Sequence, residues 1–320
     1  MSSYIENESH WSDPFVGRFL RFAAGGTVPA SWFQASLPSL DERSAKTGAL
    51  TIEVVSHCWK YAHLLNYQLS SLVKFPPTEC SVIMTVYYAR EDDNTSALLD
   101  YFGAMDIQNV TWNWCELPPN KLFRRAIGRN DAAKKSKADW VWFTDCDLMF
   151  RDGCLDTLNQ LLQGRKDALV FPRQERITAL LAEEDPMLAF DKTNIEPADI
   201  DASQFSISER GRATGPLQIT HGDVARAAGY CEALTYYQRP SAKWCKAYED
   251  RAFRWLLRSQ GVPLDIPSVY RIRHVFKGRY TGSKVNSGMR KTLRKFTSWV
   301  TEKRRDSAAT KESSSKSGEA

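Results

Sequence analysis

Ala138-Asp139-Trp140-Val141-Trp142-Phe143-Thr144-Asp145-Cys146-Asp147-Leu148-Met149-Phe150 is the stretch that decides how this chain folds. A short apolar, aromatic run bounded by polar residues predicts a buried strand. It ends on two carboxylates one residue apart, followed by further apolar residues and the turn signal Arg151-Asp152-Gly153. On a straight strand Asp145 and Asp147 would project the same way. Two hard oxygen ligands at the C-terminal end of a strand suit a divalent cation already carrying phosphates. Ligands of open α/β sheets also bind at that edge. The same spacing arises by chance: Asp199-Ile200-Asp201 has no apolar strand ahead of it and reads as loop.

Working outward, strands and helices alternate. Leu50 to Ser56 is a β-branched run and predicts a first strand. Tyr61, Leu64, Leu65, Leu69 and Leu72 follow at helical spacing, closed by Pro76-Pro77. Ser81 to Tyr88 predicts a second strand, and the acidic turn Glu91-Asp92-Asp93-Asn94-Thr95 can cap a helix through Leu98, Leu99 and Phe102. Val110 to Trp114 is a third short strand, and Leu122 to Lys137 reads as one basic helix leading into the opening stretch. Such repetition predicts an α/β fold with a mostly parallel central sheet flanked by helices.

Beyond it, Leu155 to Leu162 predicts a helix and Ala168 to Phe171 a strand. From Arg173 to Thr214 the pattern dissolves into acidic, proline-punctuated sequence, too long for a plain connector and so expected to be a functional loop or an insertion. Leu217 to Thr220 is expected as strand, Asp223 to Ala228 as helix, and Glu249 to Ser259 as a strongly amphipathic helix. Residues 1–48 are expected to form an extension lying on the main domain. Within it Trp11, Phe15, Phe19, Leu20 and Phe22 make a short amphipathic helix ended by Gly25-Gly26, and Trp32, Phe33 and Leu37 a second packed piece.

The 320 residues suffice for a substantial core. Met1 to Phe15 is polar and acidic, unlike a secretory signal, and there is no run of eighteen apolar residues. Seven scattered cysteines with no Cys-x-x-Cys pair argue for reduced thiols in a cytosol and against a zinc module. The net charge is +5, but eight Lys/Arg and one acidic residue lie between Lys284 and Arg305, so the body is slightly acidic. In that stretch Met289, Leu293, Phe296 and Val300 recur at helical spacing among Arg290, Lys291, Arg294, Lys295, Lys303, Arg304 and Arg305. Such a helix over 281–306 suits either an anionic bilayer surface or docking on the domain through the same stripe. Basicity confined to one helix argues against nucleic acid. Residues 307–320 are Ser/Lys/Glu-rich and expected to be disordered.

Taken together, residues 50 to 280 resemble an inverting glycosyltransferase of the GT-A fold, most similar to the large family 2. Thr51 to Leu72 stands where that family begins its nucleotide-binding half. Asp92-Asp93-Asn94-Thr95 resembles the acidic turn that meets base and ribose. Arg129-Asn130, with Ala132 and Ala133, resembles the family's Ala-Arg-Asn-x-Gly helix, and Thr144-Asp145-Cys146-Asp147 falls where its Asp-x-Asp stands. Gly229-Tyr230-Cys231-Glu232 resembles the segment lining the acceptor side, Tyr248-Glu249-Asp250 the Glu-Asp pair that opens a helix, and His274 lies where many such enzymes place a third metal ligand. Gly128 departs from the usual alanine, and Asn94 from the usual glycine.

The resemblance implies that residues 49–280 form the transferase domain. Asp147, with Asp145 on the ribose or the metal, would hold Mn²⁺ or Mg²⁺ against the diphosphate of a nucleotide-sugar donor, most simply a UDP-sugar. Asp250 would be the base that deprotonates the acceptor hydroxyl, Glu249 would bind the acceptor, and Asp92 and Asp93 would meet the nucleoside. His274 reads either as a ligand or as a surface histidine in a basic loop. Arg271, Arg273, Lys277 and Arg279 around it read either as a lid over the diphosphate or as a solvated basic face. Arg129 or Lys121 is a further candidate phosphate contact, and Asp223 a second candidate base. The acids at 249 and 250 also read as helix-capping charge. The acceptor would be a glycan or a lipid-linked sugar, met from the cytoplasmic side by a peripheral enzyme of cell-surface polysaccharide synthesis. A nucleotidyltransferase of similar fold would need a glycine-rich phosphate loop, which His57-Cys58-Trp59-Lys60 is not. A decayed, membrane-bound adaptor would not need Asp145, Asp147, Asp250 and His274.

Overall fold

The computed structural model of the chain describes residues 13–244 and 248–275. Lys277, Arg279, the basic stretch 281–306 and the tail 307–320 lie outside the described residues.

The chain enters through α1 (Asp13–Phe22) and then alternates: β1 (Thr51–His57), α2 (Ala62–Lys74), β2 (Ser81–Tyr88), α3 (Asp93–Gly103), β3 (Val110–Glu116), α4 (Pro119–Leu122), α5 (Arg125–Lys135), β4 (Trp140–Phe143), β5 (Leu148–Phe150), α6 (Cys154–Leu162) and β6 (Leu169–Pro172). It continues with β7 (Gln174–Thr178), β8 (Phe205–Glu209), β9 (Gln218–His221), α7 (Gly222–Ala228), α8 (Thr235–Gln238), α9 (Glu249–Leu256), β10 (Val262–Leu264) and β11 (Val269–Arg271). The fold is α/β, as the alternation predicts. Seven strands make the central sheet in the order β10-β6-β9-β4-β1-β2-β3, with β9 alone antiparallel to its neighbours β4 and β6. Every residue of β4 is buried, as expected for a strand covered on both faces. The connection after β1 runs to one side, through β2 and β3, and the chain then returns to the other side with β4. That reversal opens a crevice at the C-terminal ends of β1 and β4, where ligands of such sheets bind.

Three expectations are corrected. The opening stretch is not one strand: β4 stops at Phe143, and Asp145 and Asp147 occupy a turn in which Leu148 N–H donates to Asp145 O at 3.3 Å. Leu148–Phe150 then leaves for a second sheet, of order β5-β11-β7-β8. That sheet also absorbs both ends of the stretch 173–214, whose strand β7 pairs antiparallel with β8 from Gln174↔Glu209 to Thr178↔Phe205. Its polar alternation hid it. Leu122 to Lys137 is broken at Phe123 and Arg124, where Arg124 has φ −112° and ψ 84°. The break restarts the helix at Arg125 and sets that side chain in its first turn.

Residues 13–48 pack against α8 and α9. Asp13 pairs with Arg239 at 3.0 Å, Arg251 Nε donates to Ala24 O at 3.1 Å, and Trp255 Nε1 donates to Val28 O at 2.8 Å. The polarity of α1 differs from its reading: it buries Leu20, while Phe15, Phe19 and Phe22 face outward. Trp32 is exposed too, and only Phe33 and Leu37 of the second apolar piece pack inward. No helix among the described residues is long and apolar enough to cross a membrane.

Candidate active site

The turn after β4 is pinned from below and from the side. Gln68, fully buried on α2, donates through Nε2 to Asp145 O at 3.0 Å and to Leu148 O at 2.8 Å, spanning the turn. Cys146, between the two acids, points into the core beside Cys58, whose thiol lies 3.1 Å from Thr95 Oγ1. From the second sheet, Ile272 N–H donates to Asp147 O at 3.0 Å, so β11 fixes the far end of the turn. The two acids are thus held through their backbone by α2 and the end of β11, in a turn rather than on a straight strand.

Two arginines of α5 converge on the Asp145 carboxylate. Arg129, fully buried, donates through Nη2 to Thr144 O at 2.8 Å and to Asp145 Oδ1 at 3.3 Å, and through Nη1 to Tyr230 Oη at 2.8 Å. Tyr230 Oη donates to Gln218 Oε1 at 2.8 Å, and Gln218 Nε2 to Asp250 O at 3.1 Å. A continuous hydrogen-bonded path therefore joins the aspartate turn to the first turn of α9. Arg125 makes the shorter link: its guanidinium pairs with Asp145 and, at 2.8 Å, with Glu249 Oε1. Burial alone would raise the Glu249 pKa, but the charges of Arg125 and then Arg129 bring it below the ordinary glutamate value. Glu249, which the resemblance gives to the acceptor, is 4 % exposed and spends its carboxylate on Arg125. Its neighbour Asp250 is half-buried, with Arg254 Nη1 at 3.4 Å.

Arg129 and Asn130 also explain the segment across from them. Asn130 Oδ1 accepts from Tyr230 N–H at 2.9 Å, and a Cβ on Gly229, which has φ 61°, would lie 2.2 Å from that oxygen. Gly128, where the resembling family carries alanine, sits under His57 and Tyr87: a Cβ there would come within 2.3 Å of His57 Nε2 and 2.9 Å of Tyr87 Cγ. His57 stacks on Tyr87 at 5.0 Å, and burial, then the charges of Arg129 and Arg125, hold its pKa well below the usual imidazole value. The glycine is therefore the complement of a histidine at the end of β1.

The other predicted residues fall into three groups. Asp92 is buried and works structurally, accepting from Lys60 N–H and from Thr95 Oγ1 at 2.7 Å as the N-cap of α3. Asp93 beside it is exposed, and both acids, with Lys60, His63, Asn94, Phe190 and Lys192, line a cleft of about 530 Å³. His274 is 5 % exposed, so it is not a surface histidine; its ring meets Tyr61 at 5.5 Å and His63 at 6.4 Å, edge to face. Arg273 N–H donates to Thr178 Oγ1 at 2.8 Å. Arg271 stands on β11 rather than in a loop and pairs with Glu175, at 2.9 and 2.7 Å. Asp223 is far from the site: His221 pairs with Trp140, at the opposite end of β4, and Asp223 accepts from Ser44 and Arg226 there. Those partners hold its carboxyl at about 2, against the effect of burial.

Two carboxylates in a turn at a sheet edge are oxygen donors suited to Mg²⁺ or Mn²⁺. Among the described residues no three His, Cys, Asp or Glu side chains gather into a metal-binding group. A cation on Asp145 and Asp147 would therefore complete its shell with ligand oxygens or water. Sequence reasoning missed Arg125, Gln68 and Gln218. Nothing in the periodicity marks a lone arginine or glutamine, and Arg125 acquires its place only from the break after Leu122.

No protein-family model matches this chain, and no curated protein matches it. Among solved structures, it is similar to a mannosyltransferase from Pyrobaculum calidifontis, PcManGT, solved with GDP-Man and Mn²⁺: 15% identity over 84% of this chain and 70% of that one, TM-score 0.41. It is also similar to residues 1–349 of TarS from S. aureus, at 14% identity over 70% of this chain and 58% of that one, TM-score 0.36.

Proposed function

We propose that this chain is a divalent-metal-dependent glycosyltransferase, of the GT-A, family 2 type that its motifs resemble, moving a sugar from a nucleotide-diphosphate donor to a hydroxyl of a glycan or glycolipid. One observation carries the reading: at the crevice where the strand order reverses, Arg125 ties the Asp145–Asp147 turn directly to the helix that opens with Glu249-Asp250. A site for this chemistry needs two poles, one for the departing diphosphate and one for the incoming hydroxyl, and the bridge puts their candidates within one side chain of each other.

In this reading Asp145 and Asp147 hold Mn²⁺ or Mg²⁺, which when bound offsets the charge gathering on the diphosphate oxygens. Asp93 and the cleft it lines take the nucleoside, most simply uridine. Asp250 accepts the proton of the acceptor hydroxyl as the new bond forms at the anomeric carbon. A single displacement with a carboxylate base opposite the leaving group inverts that carbon. Glu249 and Arg129 act by holding Arg125 and the turn in place. The cellular role is synthesis of a surface polysaccharide from the cytoplasmic face.

The test is a panel of UDP-, GDP-, CMP- and dTDP-sugars with Mn²⁺ or Mg²⁺, scored for thermal stabilisation and slow donor hydrolysis. The reading expects one nucleotide family to stabilise the protein only with metal and to be hydrolysed slowly. Stabilisation by no nucleotide diphosphate, or pyrophosphate release from a nucleoside triphosphate instead, would overturn it.

A further inference from the structure

Helix α1 presents its phenylalanines to the outside. Phe15, Phe19 and Phe22, spaced four and three apart, fall on one face and are 65%, 49% and 61% exposed. Trp32 and Leu40, further along the same extension, are 75% and 60% exposed, and Phe19 reaches Phe33, the neighbour of Trp32, at a ring distance of 6.5 Å. These make up most of the exposed large apolar side chains among the described residues. The helix cannot roll to bury them. Leu20 is seated in the core, a Cβ on Gly17 would lie 2.7 Å from Tyr236 Oη, and Asp13 is held by Arg239. An apolar face kept outward by packing on the other side marks an interaction surface.

Its flanks indicate what it meets. Arg18 and Arg21 are exposed beside the phenylalanines, and the one acid of the helix, Asp13, is turned inward to Arg239. On α1 itself the aromatic residues are bordered by cations and no acid among the described residues of the helix is exposed, while Asp41 and Glu42 are exposed only in the loop after Leu40; this face matches the interfacial layer of a membrane carrying anionic lipids. A second copy in a twofold pair would set these arginines near their own images.

We propose that α1 and Trp32 seat the protein on an anionic phospholipid bilayer, with Phe15, Phe19 and Phe22 in the interfacial layer and Arg18 at the headgroups. The placement bears on the active site, because α1 packs on α9, and Arg21 stacks over the Tyr248 ring at 4.2 Å, one residue before Glu249. Resting here on the transferase reading, the acceptor side of the site would face the bilayer, so the acceptor is a hydroxyl carried on a lipid. The seating itself does not depend on that reading.

The experiment is flotation of the full-length protein with vesicles of phosphatidylcholine alone or mixed with phosphatidylglycerol. A Phe15→Ser/Phe19→Ser/Phe22→Ser variant is compared at matched melting temperature. Wild type is expected to bind the anionic vesicles, and the variant to bind at least tenfold more weakly while donor hydrolysis is unchanged. The basic stretch 284–305 is present in both proteins, so equal binding would assign the membrane contact there and overturn the proposal. No binding by wild type would also overturn it, as would a wild-type dimer that the variant splits with vesicle binding unaltered. A second readout needs no multiple variant: brominated lipid should quench wild-type fluorescence more than that of Trp32→Phe, and equal quenching would contradict the seating. Loss of donor hydrolysis in wild type, with vesicle binding intact, would count against the transferase reading alone.

Discussion

Arg125 can be removed without touching either carboxylate it joins. In Arg125→Ala, Glu249, 4 % exposed in the wild type, loses its main counter-charge, and Asp145 loses a guanidinium partner while keeping Arg129. Breaking a buried ion pair from one side costs about 3–5 kcal/mol, because the remaining charge stays desolvated. Asp145 is about a third exposed and adds little to that figure. The cost has a pH signature. In the wild type the folded pKa of Glu249 lies below its unfolded value, so its contribution is present above the ordinary glutamate pKa and is lost on acidification. Without Arg125 burial dominates and raises the folded pKa above the unfolded one, so the destabilisation is largest at pH 8 and shrinks as Glu249 takes up a proton towards pH 5. Urea denaturation of wild type, Arg125→Ala, Glu249→Gln and the double variant at both pH values measures this. The double variant should recover most of the loss at pH 8, since no buried charge is then left alone. A loss under about 1 kcal/mol, equal at both pH values and not relieved by Glu249→Gln, would refute the bridge.

Gly128→Ala should destabilise the protein by about 1–3 kcal/mol through overpacking, although alanine is the better helix former, and His57→Ala should relieve most of it in urea melts; an unchanged midpoint for the single variant would contradict the contact. Glu175 is buried between Arg271 and Arg210, and those charges, Arg271 first, outweigh burial and lower its pKa. Its stabilisation is therefore complete above the ordinary glutamate pKa and lost as pH falls through the folded value, so the acid limb of wild-type stability should be steeper than that of Glu175→Gln. Asp250→Asn should reduce sugar transfer by about 10²–10⁴-fold while leaving metal-dependent stabilisation by nucleotide intact; transfer at wild-type rate would remove Asp250 as the base.

Much of the central sheet was legible because its signal is local. β2 occupies Ser81–Tyr88 as predicted, and β1 is displaced by one residue, since β-branched and apolar runs bounded by turns leave little choice. The second sheet was not, because β7 and β8 are half-exposed strands whose partners lie 26 residues apart in sequence or arrive only with β11. Asp145 and Asp147 were found by spacing, but the reason they stand together is a turn pinned by Gln68, which no short-range pattern reveals. The acidic turn was found as a unit, and only the coordinates divide it into a capping Asp92 and an exposed Asp93. His274 was read as ligand or surface residue; its burial against Tyr61 and His63 is a property of the fold and not of its basic neighbours in sequence.

Calorimetric titration of UDP and GDP into wild type and Asp147→Asn, each with Mn²⁺ and with chelator, reaches the aspartate turn most directly. The account predicts that one nucleotide binds wild type only with metal, and that Asp147→Asn, melting at the wild-type temperature, loses that binding. Equal nucleotide affinity with and without metal, or in the two proteins, would contradict it.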